Sequence, residues 1–177
     1  MKIAIIGYSG AGKSTLAENL SNYYSIPKLH MDTLQFQPGW QDSDRDWMKV
    51  EMKNFLTNHS DWVIDGNYSW CCYEERMQEA DQIIFLNFSP WTCLFRAFKR
   101  YLTYRGKVRE SMAAGCPERF DWDFIRWILW DGRTKNAKER YQQVQETYPE
   151  KVIVLRSQKE MDYFLENLVH NKKNQRA

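Results

Sequence analysis

Apolar positions along the 177-residue chain follow two rhythms. Five short apolar runs, KIAII at 2–6, PKLHMD at 27–32, DWVIDG at 61–66, QIIFLNF at 82–88 and KVIVLR at 151–156, close on a polar residue or a glycine. That is the pattern of strands covered on both faces of a parallel sheet. Between them, helical spacing fills 14–23, 44–58, 91–104, 120–129, 135–147 and 158–168. Strands alternating with helices predict an α/β fold, a five-stranded parallel sheet between two helical layers, in a single domain over residues 1–177. Leu94, Phe95, Phe98, Tyr101 and Leu102, and later Phe120, Trp122, Phe124, Trp127, Ile128 and Trp130, are expected to be packing residues of their helices. Ligands in such sheets bind beyond the carboxyl ends of the strands. The Gly7 loop, Asp32, Asp65 to Asn67, residues 87–90, and Arg156 with Ser157 are therefore expected to ring one cleft.

The first strand runs into GYSGAGKST. Gly7, Gly10 and Gly12 permit a loop whose amides converge on an anion, and Ser9 and Ala11 lie between them. Lys13 and Ser14 complete the spacing G-x-x-x-x-G-K-[ST], and Thr15 opens a helix whose N-terminus adds orphan amides and a positive dipole end. A chain of this length matches that spacing by chance about one time in two hundred. The loop is expected to cradle the phosphates of ATP. Lys13 would reach the β- and γ-phosphates, and the Ser14 hydroxyl would ligate Mg²⁺.

A formal net charge of +2 is too small for general nucleic-acid affinity, so any basic binding surface must be local. Cys71, Cys72, Cys93 and Cys116 lack zinc or C-x-x-C spacing and read as reduced thiols. No apolar segment approaches membrane-span length and the N-terminal apolar run is too short for a secretion signal, so a soluble, cytoplasmic protein is expected. The polar end HNKKNQRA is expected to fray.

Asp65 ends an apolar strand, where a carboxylate can hold Mg²⁺, or alternatively cap the turn before Gly66. Asp32 is a candidate to accept or orient the acceptor's proton, the alternative being an N-cap ahead of Thr33. From Trp91 to Arg109 the chain carries Arg96, Lys99, Arg100, Arg105, Lys107 and Arg109 with no acidic residue. Cations over the γ-phosphate stabilise the charge that builds in phosphoryl transfer, and Arg100, Arg105 and Arg109 are the candidates, delivered by a lid at about 105–120. Because Phe98, Tyr101 and Tyr104 interleave with this run, a nucleic-acid patch is the competing reading. Trp40, in the loop after Asp32, either lines an acceptor pocket or packs the loop. Asn67 and Arg76 are further candidates for acceptor contacts. His30, His59 and His170 have no partner at metal-ligand spacing and receive no role.

The order GxxGxGKST, strand-end Asp32, DG at Asp65 and Gly66, a basic helix leading to a lid, and LRS at 155–157 resembles the small P-loop kinases related to adenylate, shikimate and gluconate kinases. More particularly, MDTLQFQPGW, WVIDGNYS, RESMAAGCPERFD and VIVLRSQKEMDYFL resemble the bacterial DNA topology modulation proteins of the FlaR type, over nearly the whole chain. The resemblance implies a three-layer P-loop NTPase with strand order 2-3-1-4-5 and a short helical lid. It further implies ATP at residues 7–15, its adenine near Arg156 and Ser157, with Arg96 or Arg100 as a stacking partner. DGNYSW stands where adenylate kinases carry a DGFPR-like motif.

Two functions remain open on these residues: an ATP-dependent kinase for a small acceptor, nucleotide or hydroxy compound, and a nucleic-acid-linked regulatory ATPase. A GTPase is disfavoured, because NKKN at 171–174 lacks the aspartate of a guanine motif. Neither the acceptor nor the oligomeric state is encoded in a motif.

Overall fold

In the computed structural model, which describes residues 1–174 and side chains as far as residue 170, the chain alternates strand and helix as expected. β1 (Lys2–Gly7) leads into α1 (Lys13–Tyr24), β2 (Lys28–His30), α2 (Met31–Gln35), a hairpin of β3 (Phe36–Gln37) and β4 (Gln41–Asp42), and α3 (Arg45–Asn58). There follow β5 (Trp62–Asp65), α4 (Tyr73–Glu79), β6 (Gln82–Leu86) and α5 (Pro90–Tyr104). After a stretch without helix come α6 (Trp122–Leu129), a 3-10 turn (Asp131–Arg133), α7 (Lys135–Thr147), β7 (Val152–Leu155) and α8 (Gln158–Asn174).

The main sheet runs β2-β5-β1-β6-β7, all parallel. Counted among its own five strands this is the order 2-3-1-4-5. β1 is central, and Ile3, Ala4, Ile5 and Ile6 are fully buried, so alternate side chains face opposite helical layers. Each such isoleucine contributes about 1.5–3 kcal/mol by burial. α1 covers the sheet with Leu16, Ala17 and Leu20, and α3 adds Met48, Met52 and Leu56 to the same core.

Several boundaries differ from the sequence reading, each for a local reason. The second strand ends at His30, and Asp32 lies inside α2, whose first turn is tied down by a 2.7 Å bond from Thr33 Oγ1 to the His30 carbonyl. α6 starts at Trp122 because the Asp121 carboxylate caps it, accepting from the Phe124 amide at 2.8 Å. The β3–β4 hairpin and the short α4 had no sequence signal long enough to name. α8 continues to Asn174, and the rest of the polar end expected to fray lies outside the described residues. No described helix is long and apolar enough to cross a membrane.

The packing expected of α5 is corrected in part: Leu94 packs against the core and Phe98 and Tyr101 meet Phe120, but the large residues do not fill its buried face. Its buried residues are the small Cys93 and Ala97, whereas Phe95, Phe98 and Leu102 are exposed. The cause is close approach: a Cβ built on Gly10 of the glycine loop would stand 2.4 Å from the Cys93 carbonyl oxygen, so large residues cannot face inward there. Trp122, Trp127 and Trp130, expected as packing, are likewise exposed.

Candidate active site

The glycine loop follows the carboxyl end of β1. Gly7 has φ 138°, and a Cβ there would meet the Leu86 carbonyl oxygen at 2.4 Å, so only glycine fits. Asn67, beyond β5, clamps the same residue: its Oδ1 accepts from the Gly7 amide at 3.0 Å and its Nδ2 donates to the Gly7 carbonyl. Gly12, φ 98°, precedes α1, which has no side-chain cap, so its first amides are open to an anion. The Ser9 hydroxyl accepts from Trp127 Nε1 at 3.0 Å. Ala11 is buried, its amide donating to the Tyr8 carbonyl at 3.1 Å, and Thr15 is exposed on the first turn of α1.

Lys13 Nζ donates to the Tyr8 carbonyl at 3.2 Å. Burial lowers its pKa, with the charges of Asp32 and Asp65 opposing the shift and Arg100 adding to it. These four groups therefore share one electrostatic neighbourhood.

Below the loop, Ser14 Oγ donates to Asp65 Oδ2 at 2.9 Å, and His30 Nδ1 lies 2.5 Å from Asp65 Oδ1. The register of the sheet sets this pairing, because His30 of β2 and Asp65 of β5 are direct neighbours. His30, given no role from the sequence, is thus the buried partner of the strand-end carboxylate. Asp65 caps no turn. Asp32 is not an N-cap either; its Oδ1 accepts from the Tyr68 hydroxyl at 2.6 Å. Burial and the Asp32 charge push the Tyr68 pKa strongly upward, so this group stays a donor. Arg76 has no exposed surface: its two terminal nitrogens donate to the Gly66 and Tyr68 carbonyls, both at 3.2 Å, and fix the 66–68 backbone that carries Asn67. Desolvation lowers its pKa to about 10. Asn67 and Arg76 are therefore both engaged with backbone rather than turned to an acceptor.

The arginine run is anchored by a residue the sequence reading passed over. Glu118, buried, takes Arg100 on Oε1, with Nε at 2.8 Å and Nη2 at 2.7 Å, and Arg109 Nε on Oε2 at 2.5 Å. Arg109 also donates to Ser111 Oγ at 2.9 Å. Arg105 forms an isolated backbone bridge with Glu118, and its side chain is exposed. The segment 105–121 is thus a strap of turns between α5 and α6. It docks on the hairpin: the Gly39 amide donates to the Gly115 carbonyl at 3.0 Å and Cys116 Sγ to the Gln37 carbonyl at 3.1 Å. Trp40 packs this junction, with its Nε1 donating to the Pro117 carbonyl at 3.2 Å and its ring edge-on to Phe36. Beside it lies a cavity of about 420 Å³ lined by Phe36, Pro38, Trp47, Met112 and Ala113 among others.

At the far end of the sheet Arg156 is exposed and Ser157 caps α8, its Oγ accepting from the Glu160 amide at 3.2 Å, while the Glu160 carboxylate accepts from the Arg156 amide at 2.9 Å and from the Ser157 hydroxyl at 3.2 Å. Arg96 connects this end to the glycine loop. Its Nη1 donates to Gln158 Oε1 at 2.7 Å, its guanidinium lies 5.0 Å over Phe88, and Nη2 would be 2.4 Å from a Cβ on Gly12.

Among the described residues no three His, Cys, Asp or Glu side chains form a metal cage. What is present beside the loop is an oxygen pair, the Ser14 hydroxyl and the Asp65 carboxylate. That donor set suits Mg²⁺, which takes few protein oxygens and completes its shell with phosphate and water.

The backbone has known counterparts. A deoxyadenosine kinase from M. mycoides, solved with dCMP and a flexible dCDP bound, superposes with a TM-score of 0.51 at 18% identity, over 99% of this chain and 100% of that one. A gluconokinase from Sinorhizobium meliloti 1021 gives 0.51 at 17% identity over 98% and 96%. The fold is that of the P-loop kinases. A shikimate kinase from Bacteroides thetaiotaomicron superposes less closely, at 0.47 and 17% identity over 98% of each chain. No protein-family model matches the sequence, and no curated protein matches it.

Proposed function

We propose that the chain is an ATP- and Mg²⁺-dependent kinase that transfers the γ-phosphoryl group to a small acceptor, nucleotide or hydroxy compound, bound over Asp32. The observation that carries this reading is the 2.9 Å bond from Ser14 to Asp65, which brings the loop's hydroxyl and a strand-end carboxylate together beside Lys13. Mg²⁺, held through Ser14 and Asp65, supplies charge neutralisation at the β- and γ-phosphates. The loop amides of residues 7–15 bind and orient the triphosphate. In the transfer, an acceptor oxygen forms a bond to the γ-phosphorus while the bond to the β,γ-bridging oxygen breaks, and ADP leaves with that electron pair. Asp32 Oδ1 is occupied by Tyr68, which leaves Oδ2 to take the acceptor's proton. Arg100 and Arg109 meet the charge growing on the γ-phosphoryl oxygens, and Glu118 holds both in place. Arg105 is free to join them as the lid at about 105–120 closes; the adenine lies toward Arg156 and Ser157, with Arg96 beside it.

In this reading Asn67 and Arg76 act on the acceptor only through the backbone they fix, and Trp40 through the strap it packs. The likeness to the topology modulation proteins and a cytoplasmic setting belong to the same proposal. The alternative, a nucleic-acid-linked ATPase, has less to draw on, since Arg96, Arg100 and Arg109 are engaged within the chain and leave Lys99, Arg105 and Lys107 exposed.

The test is transfer of labelled γ-phosphate to a panel of nucleosides, nucleoside monophosphates and hydroxy acids, with Lys13→Ala as the blank. Transfer to one class that the blank lacks establishes the kinase, and Asp32→Asn should then lower transfer far more than ATP binding. Hydrolysis without transfer that rises with added DNA overturns it in favour of the ATPase.

A further inference from the structure

α5 carries two apolar rows, one buried in the core and the other used inside the chain only where Phe98 meets Phe120. Cys93 and Ala97 face the core. On the opposite side Trp91, Phe95, Phe98 and Leu102 are 69%, 68%, 41% and 58% exposed. Their spacing, four, three and four residues, brings all four onto one stripe of the helix. That alternation is the seam by which one helix packs along another, so the surface is shaped for a helix.

The charges of α5 lie away from this seam. Arg96 reaches Gln158 and Phe88, and Arg100 reaches Glu118. Lys99 borders the stripe within α5 and the exposed Arg105 stands at its C-terminal end; about a two-fold axis that runs the helices antiparallel the two Arg105 lie at opposite ends, so the copies meet without a facing wall of like charge. The apolar surface also continues beyond α5. Phe120 lies 5.2 Å from Phe98 and 6.0 Å from Tyr101, which brings the start of α6 to the edge of the seam, and Trp122 there is 67% exposed.

Taking roughly 200 Å² for a large side chain, these five residues expose about 600 Å² of mostly apolar surface. A standard interface buries about 800 Å² per partner, and about 65% of a homodimer face is apolar, so about 520 Å² is needed. The patch is sufficient, and it lies at the upper end of what monomers leave exposed.

We infer that the occupant is a second copy of this chain, with α5 packed on α5 about a two-fold axis. An isologous contact needs only that one stripe complement itself, which a row of interdigitating Trp, Phe and Leu side chains does. The seam is turned away from Gly12 and Glu118, so pairing leaves the arginines of α5 free for their own contacts.

Sedimentation of the full chain at micromolar concentration tests this. The expected mass is that of two 21.3 kDa chains. Phe95→Glu and Leu102→Glu should each raise the dimer dissociation constant by about 100-fold or more, because each puts two charges into the buried seam. Their far-UV circular dichroism should be unchanged, since both side chains are exposed; if either charge impairs folding, Phe95→Ser and Leu102→Ser serve with a smaller shift. A wild-type chain that stays monomeric overturns the inference, including one that captures a different helical protein on this face. So does a dimer that survives both substitutions. These readouts need no phosphoryl transfer, so they stand or fall apart from the proposed function.

Discussion

The glycine loop with its carboxylate and the hairpin with its strap enclose the same site, yet they are held in opposite ways. On the loop side, Gly7, His30, Asp65 and Asn67 sit on or just after sheet strands, where strand register sets their spacing, and Ser14 reaches Asp65 from the first turn of α1. On the cover side, residues 36–42 and 105–121 have no place in the main sheet. They are joined by the Gly39–Gly115 and Cys116–Gln37 bonds and a small cluster of Met112, Ala113 and Cys116 with Phe36 and Trp40, while the two arginines on Glu118 tie the strap to itself and to α5. The first region is a frame set by the sheet, which in the proposed reaction would position the donor. The second is held by these contacts outside the sheet, and in the proposed reaction it is the part that would open and close.

Mutation should separate the two. Lys13→Ala removes the loop's cation and should lower transfer by at least 10²–10³-fold, comparable to losing one preorganised donor. It should also abolish the stabilisation by ATP·Mg²⁺, about 2.7 kcal/mol at a hundredfold excess over Kd, while the unliganded melting temperature stays close to wild type. A mutant stabilised normally by ATP·Mg²⁺ would remove the loop from the donor site.

The sharpest contrast is between two buried carboxylates. Asp65→Asn disturbs the frame and should destabilise the fold by about 2–3 kcal/mol while weakening the Mg²⁺ dependence of ATP binding. Glu118→Gln disturbs the cover: transfer should fall about 10–100-fold through kcat, with ATP affinity within a few-fold of wild type and a smaller change in melting temperature. Equal effects of the two on melting and on ATP affinity would erase the distinction between frame and cover.

A finer measurement addresses the lysine itself. Because burial holds the Lys13 pKa below its ordinary 10.5, and an adjacent triphosphate favours the charged form, nucleotide binding should raise it. Between the depressed and the raised value, binding takes up a proton, and affinity declines as pH rises through the depressed one. Calorimetry at alkaline pH in buffers of different ionisation enthalpy should detect that uptake, and Lys13→Ala should not show it. The smallest effect expected is that of Ser157→Ala, about 1 kcal/mol from the lost N-cap, with ATP affinity nearly unchanged. A large loss of ATP affinity would show that Ser157 touches the nucleotide directly.

This division also governs what the sequence could disclose. The glycine loop, the five strands and the end of the third strand at Asp65 were legible because each rests on spacing within a few residues, whereas the second strand stops at His30, two residues short of Asp32. His30 was not, because its partner lies 35 residues away and only the pairing of β2 with β5 joins them. Glu118 was hidden for a related reason: the basic run 91–109 contains no acid, and its counter-charge arrives only when the strap folds back. Arg76 reads in the sequence as a cation near an acceptor, and nothing local announces that it is buried under Gly66 and Tyr68. For α5, periodicity identified an amphipathic helix but not which row faces inward. That was decided by how closely its backbone approaches Gly10, which excludes the larger row.

The central place of β1 bears on how the chain is made. Ile3 pairs with Val63 on one side and Gln82 on the other, so the first strand to be synthesised cannot be flanked until the chain has grown past β6. At about 5–20 residues per second, the run KIAII waits on the order of ten seconds as an unpaired, β-branched apolar segment. Assembly of the sheet then requires loops of some sixty to eighty residues to close, a topology associated with slow folding. The strand that anchors the glycine loop is therefore the one most exposed to misassociation during synthesis, and the one a holding chaperone would most usefully cover.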